Sequence, residues 1–237
     1  MATYFFLPKK ILADTYNFTK ISPEEIPNQI KQSIISTVSI VGVKDSINNV
    51  IKTKGKVKIE FGTGFIISND GLILTAKHIV EDPSSEYVVN LSNGSSWKAK
   101  VVYRDPDRDI ALLDISGNYK DVIKMNEDRS ISLGDKMTAI GDIYEKYNLS
   151  ISNGEVTGLN QTLEFEDGNI IDGLVETTAP VINGFSGGPV VDNDGDLIGM
   201  NIATNTLTGR SFFIPLEEIK ESIEPLLSSN PLLEVLI

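Results

Sequence analysis

Three residues of this chain have the types that together can move a proton and attack a carbonyl. Ser186 stands in the stretch Asn183 to Val191, "NGFSGGPVV", with Gly184 ahead of it and Gly187 and Gly188 behind. His78, the only histidine, follows an apolar run in "LTAKHIV". Asp109 is the last acid before the apolar strand of "DPDRDIALLDI". A serine hydroxyl is a weak nucleophile and needs a base within hydrogen-bond reach. An imidazole suits, because its reference pKa of about 6.5 lies near working pH. A carboxylate behind the ring would hold it in one tautomer. Each residue alone has a plainer explanation: a glycine-rich turn before a strand, a surface histidine, an acid that caps or turns the chain.

Attack on a carbonyl also builds negative charge on its oxygen, which backbone N–H groups can receive. The N–H groups of Gly184, Phe185 and Ser186 are the candidates. Gly184 has no Cβ, so it can adopt the turn that aims its own N–H and that of Ser186 at one point. Gly187 and Gly188 read as positions that let the next strand start without crowding a substrate.

Composition narrows the classes. The chain has 237 residues with 33 acidic against 21 basic side chains, a net charge of −12. Phosphate binding depends on basic side chains, so neither nucleic acid nor an anionic membrane is an expected partner. No apolar run approaches the roughly 18 residues of a spanning helix, so membrane insertion is not expected. Cysteine is absent, which excludes disulfides and thiolate zinc sites. The opening "MATYFFLPKK" does not read as a signal peptide, since Pro8 interrupts a short apolar part and the positive charges follow it. Together these point to a cytoplasmic location. "DNDGD" at Asp192 to Asp196 does not fit a calcium loop, because Gly195 falls fourth where such a loop needs its glycine sixth. It reads as an exposed hairpin turn. No cofactor and no metal are expected.

Those side chains need a scaffold to bring them together. "SPEEIPNQIKQSIIST" from Ser22 looks helical, with Ser22 as cap, Glu25 at capping-box spacing, and Ile26, Ile30 and Ile34 on one face. Beyond it the chain is mostly short strands broken by turns, among them "GFIIS", "LILTA", "YVVNLS", "DIALLDI", "DKMTAIGDI" and "GDLIGMNIA". Asn153-Gly154 and Asp194-Gly195 read as hairpin signals. Such spacing indicates an all-β sandwich or barrel. "PLEEIKESIEPLLSS" reads as a closing helix, and the apolar "PLLEVLI" after it as a tail packed on the body. The stretch from about Gly117 to Ser130 is the least structured and is the expected boundary. The expected parts are an N-terminal extension (1–30), a first barrel (31–120), a second barrel (121–218), and a helix with tail (219–237).

The order His, Asp, Ser and the contexts "TAKHIV", "DIALL" and "GFSGGPVV" resemble the chymotrypsin-like serine proteases. More narrowly, "GTGFIISNDGLILTAKHIV", "DPDRDIALLDI", "LGDKMTAIGDI", "ISNGEVTGL" and "GDLIGMNIA" with "FFIP" resemble the blocks of the HtrA/Deg protease domain in order, from about Ile30 to about Leu227. The resemblance implies an all-β fold of two six-stranded antiparallel β-barrels, with short N- and C-terminal helices and a cleft between the barrels. It implies His78 as general base, Asp109 as its orienter and Ser186 as nucleophile, hydrolysing peptide bonds through an acyl-enzyme. Asp105, Asp107 and Asp114 are poorer candidates for the carboxylate: the first two flank Pro106 in an apparent turn, and Asp114 lies within a strand.

The chain departs from the family at two places. Phe185 precedes the serine, where digestive members carry an aspartate that pairs with a freed N-terminus, so activation by N-terminal cleavage is not expected. Relatives often switch this loop, so conditional activity is expected. The PDZ domain that such proteins usually carry is not expected after Leu227. By family position Val181, Ile182, Ala203, Thr204 and Asn205 line the substrate pocket, and Pro180 stands where a trypsin holds an acid. A small or medium apolar residue (Val, Ala, Leu or Ile) is therefore expected before the cut bond. The expected partner is a polypeptide substrate, with assembly into a homo-oligomer or larger complex left open. The competing reading is a weak or inactive protease fold that serves as a peptide-binding or regulatory module. A dedicated processing enzyme and a quality-control enzyme are not separable from sequence.

Overall fold

In "EYVVN" the side chains of Tyr87 and Val89 are buried while Glu86, Val88 and Asn90 are less so, the two-residue period of a half-buried strand. The computed structural model describes residues 19–20, 26–48, 53–125, 130–142, 149–164, 168, 170–205 and 208–229. Two sheets dominate. The first is a closed barrel of β2 (Thr37–Asn48), β3 (Thr53–Ile66), β4 (Leu72–Thr75), β5 (Glu86–Asn90), β6 (Ser96–Arg104) and β7 (Ala111–Asp114), paired in the order β2-β3-β4-β7-β6-β5 and back to β2. "LILT" of β4 is buried at every position, so it runs through the interior of the molecule.

The second sheet holds β8 (Lys136–Asp142), β9 (Leu149–Glu164), β10 (Ile170–Thr177), β11 (Pro189–Val191), β12 (Leu197–Asn205) and β13 (Arg210–Pro215). Its pairings run β9-β10-β13-β12-β11-β8 and return from β8 to β9, with β1 (Thr19–Lys20) added on β9. The two antiparallel barrels expected from sequence are what the chain forms.

The helices are short. Asn28–Ile30 is a 3-10 turn leading into α1 (Lys31–Ser36), and Ile30 and Ile34 are buried as the spacing predicts. The proposed cap at Ser22 and Glu25 lies outside the described residues. The closing helix α2 (Leu216–Ser229) buries Leu216, Ile219 and Ile223 on one stripe. The "PLLEVLI" tail lies outside the described residues.

Two turn readings have different outcomes. Asp192 to Asp196 closes the β11–β12 hairpin, with Gly195 at φ +81°, but only Asn193 and Asp194 are exposed: Asp192 and Asp196 are buried and Gly195 packs on the Gln29 carbonyl. Asn153-Gly154 is not a turn but sits inside β9, opposite Thr138 and Met137 of β8. Its glycine serves close packing: a Cβ there would come within 2.7 Å of Ala179 Cα.

The connector between barrels is pinned to both. Ile123 N–H donates to Ile66 O of β3 at 2.9 Å, and Leu197 N–H of β12 donates to Lys124 O at 2.8 Å. Lys124 Nζ lies 2.5 Å from Asp196 Oδ1, and this bond with the aspartate raises the lysine pKa.

Candidate active site

His78 lies in a 3-10 turn, Lys77–Val80, just after the buried strand β4. Asp109 lies in the loop that enters β7. Its carboxylate grips His78 twice: Oδ1 accepts the backbone N–H at 2.9 Å and Oδ2 lies 2.7 Å from ring Nδ1. The Lys77 N–H also donates to Asp109 O, at 3.3 Å. An ionised carboxylate only accepts, so Nδ1 must carry its proton. In the neutral ring Nε2 then holds the lone pair.

The loop carrying Asp109 is shaped by Asp105. Asp105 Oδ1 accepts the N–H groups of Asp107 and Arg108, each at 2.8 Å, and Oδ2 takes the Ser222 hydroxyl of α2. Tyr103 OH lies 3.2 Å from both Asp105 Oδ2 and the Ser222 carbonyl. Burial pushes the Asp105 carboxyl up, but the Ser222 hydroxyl and the two N–H groups outweigh it and hold the pKa below the ordinary carboxylate value. Asp105 is thus a turn former and helix clamp. Asp114 accepts from Ser116 N–H and caps the end of β7.

Ser186 belongs to the second barrel. The turn before it runs Ile182 to Phe185, closed by Phe185 N–H to Ile182 O at 3.0 Å. Gly184 is its third residue, with φ +107°. A positive φ there is the mark of a type II turn; the type I alternative would flip the Asn183–Gly184 peptide. The glycine therefore fixes which way its own N–H points. Phe185 O accepts Gly188 N–H at 2.8 Å. In a trans peptide the C=O and N–H point in opposite directions, so the Ser186 N–H faces away from that bond. Among the described residues, no protein group accepts from the N–H of Gly184 or of Ser186. The Phe185 N–H is engaged by Ile182, which leaves the other two as outward donors.

Phe185 is fully buried in the core of the second barrel with Met137, Val156, Val190 and Phe213. Gly141 makes its room, since a Cβ there would stand 2.6 Å from Phe185 Cα. Gly187, at φ +80°, abuts the Thr63 carbonyl, the Thr75 hydroxyl and the Ala76 N–H. Ala76 immediately precedes the turn that holds His78. The structure thus brings the segments bearing His78, Asp109 and Ser186 to one place between the barrels. Gly187 and Gly188 are explained by that packing, since a Cβ on Gly188 would meet Ile140 O. The Ser186 hydroxyl donates to Ile202 O at 3.3 Å, a long bond near the limit of useful geometry.

The expected pocket residues gather beside the serine. Thr204 Oγ1 donates to Val181 O at 2.8 Å and lies 3.3 Å from Ser211 Oγ. Ser211 Oγ in turn accepts Val181 N–H at 3.2 Å. Val181 contributes backbone, its side chain being buried in the second core, while Ile182, Ala203 and Thr204 are partly exposed. Asn205 ends β12 opposite Arg210, and its side chain lies outside the described residues. The sequence reading missed Ser211, Ile202 and Thr63; the one signal for Thr63 is its place between Gly62 and Gly64 in "FGTGF".

Residues 62–200 match the family model of the trypsin-like peptidase domain. Similar proteins include a "Probable periplasmic serine endoprotease DegP-like" of Pseudomonas fluorescens, 34% identical over 66% of this chain and 33% of that protein. A protein of the same description from Chlamydia muridarum is 32% identical over 71% of this chain and 34% of its own length. "Serine protease Do-like HtrB" of Bacillus subtilis is 28% identical over 94% of this chain and 52% of its own. The chain belongs to the trypsin-like peptidases, and its relatives are the DegP-like and Do-like serine proteases. It spans between about a third and a half of the length of these curated relatives.

The relatives correct one expectation. Those of Pseudomonas and Chlamydia are described as periplasmic, which overturns the cytoplasmic location inferred from the opening residues and the missing cysteines. Absence of cysteine was a poor guide, because an oxidising compartment permits disulfides without requiring them.

Proposed function

We propose that the chain is a serine endopeptidase that works outside the cytoplasm on polypeptide substrates. Ser186 attacks the peptide carbonyl, His78 Nε2 takes its proton, and Asp109 holds the ring. The N–H groups of Gly184 and Ser186 receive the oxyanion. His78 then gives its proton to the leaving amine, and water releases the acyl group by the reverse sequence. The observation that carries this reading is the double grip of Asp109 on His78, ring and backbone together. A carboxylate that only capped a turn would not need the ring.

The pocket supports a small or medium apolar residue before the scissile bond. Thr204 reaches across from β12 to the Val181 carbonyl, and no acid stands at Pro180 to receive Arg or Lys. The turn bears on regulation too. The expected switching finds less support than a turn held in one state, because Phe185 is buried and Gly184 already has its positive φ. Hydrolysis of casein at full rate without an activator would agree with that. A need for an activator or for oligomerisation would restore the switch.

The Ser186 hydroxyl, bonded to Ile202 O, favours the inactive-module reading. A fluorophosphonate probe separates the two. Labelling of Ser186, abolished in Ser186→Ala together with peptide hydrolysis, is the expected result; an unlabelled, folded wild-type protein would refute the enzyme.

A further inference from the structure

We infer that Thr63, a residue of the first barrel, is the positioning residue that holds the nucleophile's turn in its working shape. The inference rests on the endopeptidase reading and deepens it. Thr63 lies on β3, is fully buried, and takes no part in the proton transfers proposed above. Its hydroxyl and its backbone both reach across to the second barrel. Thr63 N–H donates to Ser186 O at 3.0 Å. Thr63 Oγ1 lies 2.5 Å from Gly184 O and 2.9 Å from Asp142 N.

The direction of the hydroxyl follows from chemistry. A backbone N–H only donates, so Oγ1 must accept from Asp142. Its single proton is then directed to the Gly184 carbonyl. That carbonyl and the Phe185 N–H belong to one planar peptide. The N–H end is held by Ile182 O and the C=O end by Thr63, so the plane is fixed at both ends. The Ser186–Gly187 peptide is held in the same way, by Thr63 N–H at its carbonyl and by Asn201 O, which accepts Gly187 N–H at 2.8 Å. The two peptides that present the outward donors, Asn183–Gly184 and Phe185–Ser186, alternate with these two clamped ones. The Phe185–Ser186 peptide is also held directly, by Gly188 N–H at its carbonyl, and the clamped neighbours set the rest of the tilt. Phe185 cannot form an ionic latch, and the Thr63 hydroxyl supplies a neutral one from the opposite barrel.

The test replaces Thr63 by Val, which keeps shape and the backbone N–H but removes the hydroxyl, and by Ser, which keeps the hydroxyl. Steady-state kinetics on a peptide substrate, the rate of fluorophosphonate labelling, binding of a peptide boronate that mimics the tetrahedral state, and melting temperature are measured for each. Thr63→Val is expected to lower kcat about 10- to 100-fold, below the cost of deleting an oxyanion donor outright. KM should stay near wild type, and boronate affinity should fall with kcat. Thr63→Ser should recover most of both. Should Thr63→Val not fold, Thr63→Ala removes the same hydroxyl without a branched side chain and carries the same expectation. Unchanged kcat in the folded hydroxyl-free variant overturns the inference. So does an equal loss in Thr63→Ser, or a loss that tracks melting temperature alone. A wild-type protein that neither cleaves nor labels removes the endopeptidase reading itself, and this inference falls with it.

Discussion

Arg108 and Glu218 form a two-pronged ion pair, Nε at 2.9 Å and Nη2 at 2.8 Å from Oε2, so the residue beside Asp109 is tied to the C-terminal helix. Glu221 joins from the next turn at 3.0 Å. The bond with Glu218 raises the arginine pKa, so the guanidinium stays charged throughout the working range. Both Arg108 and Glu218 side chains are one-third exposed, so solvent screens the pair. Arg108→Met is expected to lower stability by roughly 1 kcal/mol and kcat/KM by less than about tenfold. Denaturant melts at low and high salt check this: the difference from wild type should shrink as salt rises. A difference that ignores salt would mean lost packing in place of lost charge.

Gly187 tolerates no side chain. A Cβ would run into the Thr63 carbonyl and the Thr75 hydroxyl, and φ is +80°. Gly187→Ala is expected to cost more than about 3 kcal/mol and to abolish labelling of Ser186. Thermal melts and probe labelling decide it. A stable, labelled variant would mean that the strands part easily at this point.

Asp105 should report on acid stability. Its folded pKa is depressed, so the ionised carboxylate favours the native state. That contribution is whole above the unfolded value of about 3.9 and drains away as pH falls through the lower folded value. Asp105→Asn is expected to cost about 1–3 kcal/mol near neutral pH, with the gap to wild type closing below about pH 4. Melts of both proteins across that range measure it. A constant gap would show that the carboxylate's charge contributes nothing.

Thr204 should set how deep a side chain can enter beside the serine. Its hydroxyl spans from β12 to the Val181 carbonyl, with Ser211 behind it. Thr204→Gly is expected to raise kcat/KM for a Phe before the cut bond relative to Ala by about 10- to 200-fold. A matched peptide series reads this directly. An unchanged ratio would place the limiting wall elsewhere.

Much of this molecule is legible in its sequence because the signals are local. The alternation in "EYVVN", the all-apolar "LILT" and the three short stretches around His78, Asp109 and Ser186 are each visible within about ten residues. What was misread is what depends on distant neighbours. Gly154 looked like a hairpin, yet its neighbour is the backbone of Ala179, just beyond the end of the paired strand β10. Gly187 and Gly188 lie against the Thr63 and Ile140 carbonyls, contacts that their own stretch does not announce. Asp105 looked like a turn acid and is one, but its second oxygen holds Ser222, 117 positions away. Thr63 and Gly184 are 121 positions apart, and no local pattern announces such a pair. The compartment was missed because composition speaks of stability and solubility, which both compartments require.

The backbone around Ser186 takes its form from strands of the other barrel, through Thr63, Thr75 and Ala76. A half-molecule would therefore carry the hydroxyl without its setting. On the endopeptidase reading, a newborn or partly melted chain, with its lobes not yet docked, would be a blunt blade that gains its edge only when folding is finished.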